Sequence, residues 1–363
     1  MIGSSAARHA TLTSSVKVCL IGPSEPKERS KNTDRDIYGS YYDEGRITRS
    51  IEPDPMCRGK LATESVKRYR EIEDLSGIKF YDEVGCLSIG KGTDTIGTSS
   101  ESSPIQAFEE QPELLSKKIV DERFNYLKFP DEITGVVETK NAGIINPRKL
   151  VQAQQKLAVE QGCTIIDDVV CDVDRIVHSD QTYVMKVVTE TGDTVLAKFV
   201  LLCTGAFTKL RNMLPQCLNI QHTIAPLTVA LVEVDMKLSS TQVLRDMPCV
   251  VYYGDRHEDW NIPDVLHADD DIDFYMLPPI KYPDGVQFKS WIGDSCAIMT
   301  TPTSRPYIDK IHDQLGVAVG CNGHAAKSSD EIGRLGATMM LQGWSSDIPQ
   351  HYFKLKFDNQ SKL

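Results

Sequence analysis

A chain that opens on "MIGSSAARHA" and soon reaches "VKVCLIG" has few folds open to it. Gly3, Ser4, Ser5, Ala6 and Ala7 are small enough for a helix to lie tight against a sheet, or for its amino end to come close to a ligand. Residues 16–22 form a short apolar run with β-branched side chains, the mark of a buried strand. Helix then strand is half of a βαβ unit. In its dinucleotide-binding version a first strand precedes G-x-G-x-x-G, and the last glycine opens the helix, where backbone amides hold a pyrophosphate. With Gly3 as that last glycine, the first strand and two glycines lie upstream of Met1. Ordinary packing of a small-residue helix on a sheet gives the same pattern.

The 363 residues can bury a large core, and no long Pro/Gly linker divides them, so two intertwined domains are expected. A net charge of -11 opposes nucleic-acid binding, and no apolar stretch approaches the length of a membrane span. Ten cysteines stand singly without CxxC pairs, which fits reduced thiols better than a disulfide framework or a zinc site, and no metal is expected. The chain ends in Ser361, Lys362 and Leu363, the tripeptide read by the peroxisomal import receptor. Peroxisomes house oxidases that release hydrogen peroxide, so an acidic, nucleotide-binding oxidase located there is a coherent expectation.

Further along, "SYYDEGRITRS" is a polar loop whose Arg46 and Arg49 can face one side of a turn and serve a phosphate, a flavin edge or a carboxylate, or else stand solvated. "LATESVKRYREIEDLSG" reads as a helix ended by Gly77, and "IKFYDEVGCLSIG" as strands. "GTDTIGTSSESSPIQ" reads as a surface loop. "NPRKLVQAQQKLAVEQGC" is an amphipathic helix with Asn146 as cap, Pro147 in its first turn and Gly162 at its end, and "TIIDDVV" follows as a strand. "AKFVLLCTGAF" is a buried strand running into the small-residue turn Thr204, Gly205, Ala206, which lets backbone pass close to a cofactor or simply turns into a helix. "IAPLTVALVEVDM" and "DFYMLPPIKYPDG" supply antiparallel strands, and the acidic stretch between them reads as a solvated loop.

Four segments, "EGRITR", "INPRKL", "SCAIMTTPTSRPYIDKI" and "VAVGCNGHAAKSSDEIG", resemble the D-amino-acid-oxidase-like flavoproteins, and within them the sarcosine oxidase and pipecolate oxidase group. The likeness runs over most of the chain. It implies an α/β fold, α+β overall: a Rossmann-like FAD-binding domain over 1–80, 142–215 and 296–363, interleaved with a mostly antiparallel substrate domain over 81–141 and 216–295. It implies oxidation of a secondary amine or N-methyl amino acid, with FAD as hydride acceptor, O2 as final acceptor and H2O2 as product, by a monomer. Cys296 takes the position of the cysteine bonded covalently to the flavin ring, a role that needs a nucleophilic thiolate. Arg49 and Lys327 take those of the cations that hold the substrate carboxylate, Tyr275 lines the pocket, and Lys289 sits over the flavin and assists oxygen reduction. Gly3, Ser4, Glu25, Arg46, Val170, Thr204, Gly205, Gly323, His324 and Lys327 are the remaining residues expected around FAD. Without the resemblance, the lysines read as surface charges and Cys296 as a small core residue.

Three departures stand against that pattern. The acidic residue expected after the second strand for the FAD ribose is replaced, with Gly22 at its place in "IGPSEP" and Glu25 slightly later as its stand-in. "SWIGD" bridges Lys289 and Cys296 where the family has a longer segment, and Tyr42 stands where sarcosine oxidases have a histidine. A non-catalytic relative or incomplete gene model that binds FAD poorly is therefore the rival expectation, and an NAD-dependent dehydrogenase a third. An upstream strand ending in G-x-G before Met1 is expected to improve FAD retention.

Overall fold

The computed structural model describes residues 1–13, 16–25, 37, 39–52, 54–91, 112–127, 129–177, 182–214, 219–233, 247–254, 272–277 and 290–357. The described helices are α1 (Ile2–Thr11), α2 (Lys60–Ser76), α3 (Lys117–Arg123), α4 (Pro147–Glu160), α5 (Phe207–Leu210) and α6 (Ser329–Leu341). Local chemistry sets their ends. Gly77 closes α2 in the left-handed conformation, φ 69°, where its N–H donates to Glu73 O. Asn146 caps α4 by accepting the Lys149 N–H, and Pro147 pre-sets the first turn.

Parallel strands pair beneath these helices. β1 (Cys19–Ile21) pairs with β8 (Thr164–Ile166), and β12 (Val200–Leu202) with β18 (Leu315–Val319), which pairs antiparallel with β17 (Tyr307–His312) on its other side. Among the described residues β1 is paired only toward β8 and β12 only toward β18. α1 touches both: a Cβ on Gly3 would lie 3.4 Å from Cys203 Cβ and 3.6 Å from Leu20 Cδ1. The small face of α1 does what its composition allows. Ser4, Ser5, Ala6 and Ala7 are buried, and α6 comes so near that a Cβ on Gly333 would stand 2.6 Å from Ser5 Cβ.

The remaining sheets are mostly antiparallel. A five-stranded sheet runs β15–β14–β4–β6–β5, where β4 is Cys86–Gly90, β5 Glu113–Ser116, β6 Thr134–Glu138, β14 Cys249–Gly254 and β15 Ile272–Met276; only β14–β4 is parallel. β2 (Arg46–Thr48) and β3 (Tyr81–Asp82) flank β7 (Gly143–Ile145), and β9 (Val170–Val177), β10 (Tyr183–Thr189) and β11 (Thr194–Ala197) form a meander. The long pair β13 (Thr223–Glu233) and β16 (Ser290–Thr300) is antiparallel, with Thr223 opposite Thr300. The two segments expected to supply antiparallel strands do so, on β13 and β15, in different sheets, because β13 pairs with β16 and β15 with β14. β16 runs straight through the expected boundary at 295/296, and β3 ties the residues after position 80 to β7. The loop at 92–106 and residues 255–271 of the acidic stretch lie outside the described residues.

Four helices meet at one carboxylate. Asp330, fully buried near the start of α6, accepts from Ser5 Oγ at 3.1 Å and Arg8 Nη2 at 2.9 Å on α1, Arg68 Nε at 2.6 Å on α2 and Gln154 Nε2 at 2.7 Å on α4, with His9 Nε2 at 3.2 Å. Removing this charge leaves Arg8 and Arg68 without their shared counter-ion in the interior. Asp330→Asn is expected to destabilise the fold by about 3 kcal/mol or more, measured by chemical denaturation; a loss below about 1 kcal/mol, the scale of exposed pairs, would show that the junction does not depend on the charge.

Candidate functional site

Two loops from opposite parts of the chain bring buried charge together. The first leaves β2 at Thr48 and turns through Arg49, Ser50, Ile51 and Glu52. Glu138, the last residue of β6, fixes that turn: its carboxylate accepts the Ser50 N–H at 2.8 Å and the Ile51 N–H at 3.1 Å. The second loop follows β18, where Gly320, Asn322 and Gly323 adopt φ of 78°, 53° and 74°. Asn322 Oδ1 accepts the Thr301 N–H at 2.8 Å and braces the loop against the end of β16. The loop then delivers Lys327, whose carbonyl accepts from Tyr69 OH at 2.6 Å on α2.

The side chains meet at Glu52. Its Oε1 accepts from Arg49 Nε at 2.9 Å and from Lys327 Nζ at 2.9 Å. Arg49 Nη2 donates to the hydroxyl of Tyr253 on β14, and the guanidinium carbon lies 5.4 Å from that ring's centroid. Arg49 is 5% exposed, Glu52 1% and Lys327 6%. Burial works against the Glu52 charge, but Lys327 and Arg49 hold its carboxyl well below the usual carboxylate range. Burial likewise opposes the Arg49 charge, which Glu52 and Tyr253 raise above its usual range. Burial pulls the Lys327 ammonium down; Glu52 opposes that shift and Arg49 adds to it. His324, exposed on this loop, is lowered below its usual value, by desolvation of its ring first and then by the Lys327 and Arg58 charges.

The expected site residues divide into groups. Arg49 and Lys327 come together through Glu52, with His324 close enough to feel the Lys327 charge. Arg46 does not share their partners: it pairs with Asp43 and donates to Ser40 O at 3.1 Å, because three positions along an extended segment carry its side chain to another side. Gly3 and Ser4 open α1, Thr204 and Gly205 follow β12, and Val170 begins β9 opposite Thr189. Glu25 is held by Arg148 Nε at 2.5 Å. Tyr42 is buried, with its ring edge-on to Tyr41. The backbones of Tyr275 and Cys296 lie on β15 and β16, opposite Val251 and Leu227, but their side chains, like Lys289 and the terminal Ser361, Lys362 and Leu363, lie outside the described residues. Glu52, Glu138 and Tyr253 were not foreseen. Only Glu52 left a signal, a carboxylate three residues after Arg49.

The family model described as FAD dependent oxidoreductase matches residues 1–339. The chain belongs to that family. Solved structures share its fold: NikD, an unusual amino acid oxidase essential for nikkomycin biosynthesis, has a TM-score of 0.68 at 14% identity, covering 99% of this chain and 96% of that one. L-proline dehydrogenase from P. horikoshii has a TM-score of 0.67 at 16% identity, over 97% and 94% of the two chains. Iminodiacetate oxidase from Chelativorans sp. BNC1 has a TM-score of 0.62 at 15% identity, over 98% and 96%. At these identities the likeness shows the fold. No curated protein matches the chain.

The residues present fit FAD. A Cβ on Gly22 or on Gly205 would meet nothing within 4 Å. Both glycines lie just past the carboxyl ends of parallel strands, β1 and β12, which is where open α/β sheets take dinucleotides. Gly3 and Ser4 at the α1 start, the Thr204–Gly205 turn and Gly323 are the residues that would hold it. The family membership makes the chain an FAD-dependent oxidoreductase.

Glu138 gives this site a pH signature. Burial raises its carboxyl from 4.5 to about 7, against the pull of the Ser50 and Ile51 amides. A folded-state pKa above the unfolded one means that the unfolded chain releases the proton first. Stability is therefore lost as pH rises from about 4.5 to about 7, by up to about 3 kcal/mol at about 1.4 kcal/mol per unit. Glu138→Gln keeps an acceptor for the amides and has no proton to lose. Its stability relative to the natural protein should climb by that amount across the window in denaturation curves taken at successive pH values. A flat difference would mean that Glu138 titrates as an ordinary carboxyl.

Proposed function

We propose that the chain oxidises a secondary amine of the N-alkyl amino-acid type, sarcosine or pipecolate being the models. The observation that carries this reading is the buried meeting of Arg49 and Lys327, two cations supplied by loops from opposite parts of the chain. An interior that gathers two cations in one place is suited to a substrate carboxylate. The activities of two fold neighbours, an amino acid oxidase and an iminodiacetate oxidase, lend support from the side of chemistry.

When bound, FAD supplies the acceptor for the hydride that leaves the carbon next to the amine nitrogen, and passes both electrons to O2 to give H2O2. The imine product then hydrolyses in water to a carbonyl compound and an amine. The protein's share is to orient the substrate. Arg49 and Lys327 hold the carboxylate end, which sets the reacting carbon at a fixed distance from the buried cluster. His324, neutral in this positive surrounding, adds no charge to the clamp. Lys289 is assigned to oxygen reduction, where a cation stabilises developing negative charge. Cys296 is assigned the covalent bond to the flavin ring, and the terminal Ser361, Lys362 and Leu363 import into the peroxisome.

Two measurements test the reading. After acid precipitation the yellow colour should stay with the protein and move to the supernatant for Cys296→Ser; colour released equally from both would remove the covalent link. In stopped-flow traces, Lys289→Met should slow reoxidation by O2 by about tenfold or more with little change in reduction. Lys327→Met should raise the substrate concentration needed for reduction by a similar factor, about tenfold. Loss of the same half-reaction in both variants would overturn the division of labour.

A further inference from the structure

Arg49 and Lys327 act together only if the two loops that carry them keep a fixed separation. Arg49 and Glu52 belong to the same turn, so their ion pair ties that turn to itself. The contact from Glu52 Oε1 to Lys327 Nζ at 2.9 Å does cross to the other loop, but it runs through two long, rotatable side chains. Such a tie leaves each backbone room to shift. A stiffer tie lies beneath it, on α2.

Tyr69 has no exposed surface, and its ring packs edge-on against those of Phe80 and Tyr81, with centroids 5.4 Å away in each case. The hydroxyl is therefore carried on a ring that cannot swing. It donates to Lys327 O at 2.6 Å. Thr48, the residue just before Arg49, is likewise fully buried, and its Oγ1 has no hydrogen-bond partner among the described residues. The two hydroxyls are neighbours: burial, then Asp330 and Tyr81, raise the Tyr69 phenol well above its usual range, while Arg68 and the Thr48 hydroxyl work against that rise. A phenol has one proton and two lone pairs. Its proton goes to Lys327, and a lone pair is the acceptor that a buried Thr48 hydroxyl needs.

We infer that Tyr69 is a positioning residue: Thr48 Oγ1 donates to the phenol oxygen and the phenol donates to Lys327 O, so one buried side chain fixes the turn that carries Arg49 against the loop that carries Lys327. The two hydrogen bonds run in one direction, and each polarises the other. α2 gives the phenol a firm base, because Arg68, one residue earlier, is held by Asp330 and Glu331 at 2.6 Å each. The consequence for catalysis rests on the amine-oxidase reading of this site; the tie between the two loops does not. Tyr69 acts only through those loops, by keeping the distance between their cations constant.

The first measurement needs no substrate. In hydrogen exchange on the purified full chain, Tyr69→Phe, which keeps the ring and loses the hydroxyl, should speed exchange about fivefold or more over residues 48–52 and 321–327 together, with the amides of β10 unchanged. Thr48→Val should speed exchange over 48–52, and Thr48→Ser, which restores a hydroxyl, should return it to the natural rate. The second measurement is anaerobic stopped flow with sarcosine and with pipecolate. Tyr69→Phe should lower the limiting rate of flavin reduction about tenfold and leave reoxidation by O2 unchanged. Faster exchange in one loop alone, or equally in β10, overturns the inference. So does a Thr48→Val protein that behaves like Thr48→Ser, and this pair decides alone if Tyr69→Phe does not fold. If both loops loosen as expected but neither amine reduces the flavin of the natural protein, the tie stands and the amine-oxidase reading fails. If the natural protein and Tyr69→Phe are reduced at the same limiting rate, the positioning role fails and that reading stands.

Discussion

Asp330 is the interaction on which the rest of the architecture leans. A carboxylate with no solvent contact is tolerated only when its lone pairs are taken up by donors in good geometry. Here the donors come from α1, α2 and α4, and burial is outweighed by His9, Arg68 and Arg8, which hold the group well below the usual carboxylate range. Each donor restricts the helix that carries it, so one buried charge sets three helices relative to α6. The consequence reaches the site. Lys327 lies just ahead of α6; its carbonyl is held by Tyr69 on α2, and the Glu331 N–H is accepted by Ser65 Oγ on the same helix at 3.0 Å. The direction of the Lys327 ammonium toward Glu52 is therefore inherited from the packing of α2 on α6, which Asp330 and Arg68 join.

That dependence explains which parts were legible in the sequence. Helix ends were readable because their causes are local: Gly77 adopts φ 69° at the end of α2, and Asn146 accepts the amide three residues on. The strand after α1 and the small-residue turn after β12 followed from short apolar runs. Asp330 was not readable. In "KSSDEIG" it looks like an ordinary acidic residue in a first helical turn, favoured there by the helix dipole and solvated. What buries it is α1, whose small side chains let the two helices close in, and no spacing within one segment records a contact between residues 5 and 330.

The site shows the same limit more sharply. Arg49 and Lys327 were assigned by resemblance alone, since an R-x-x-R spacing and a lysine in a polar loop are equally consistent with solvated charge. Glu52 follows Arg49 closely enough to suggest a pair, but that it also holds Lys327 depends on the fold bringing the turn after β2 against the loop after β18. The five-stranded sheet completes the arrangement from two of its strands, with Glu138 on β6 gripping the backbone of the turn and Tyr253 on β14 meeting the guanidinium. A site assembled from two loops and two strands of another sheet takes its members from segments that carry no signal of each other.

The two carboxylates of that site behave oppositely, and environment rather than residue type decides it. Both are buried, so desolvation pushes each toward its neutral form. Glu52 is answered by two full charges and stays ionised; Glu138 is answered mainly by two backbone amides, which are weaker, and its carboxyl rises to about 7. Glu52 therefore acts as a fixed charge that shapes what the cluster attracts, while Glu138 changes charge within the neutral range. As Glu138 ionises, it grips the Ser50 and Ile51 amides more strongly, because a carboxylate accepts hydrogen bonds better than a neutral acid. It also adds a negative charge that Arg49 senses. The excess positive charge of the cluster is thus greatest below about pH 7 and is offset above it, so the pull on an anionic ligand weakens over the same range in which the turn presenting Arg49 is held more tightly.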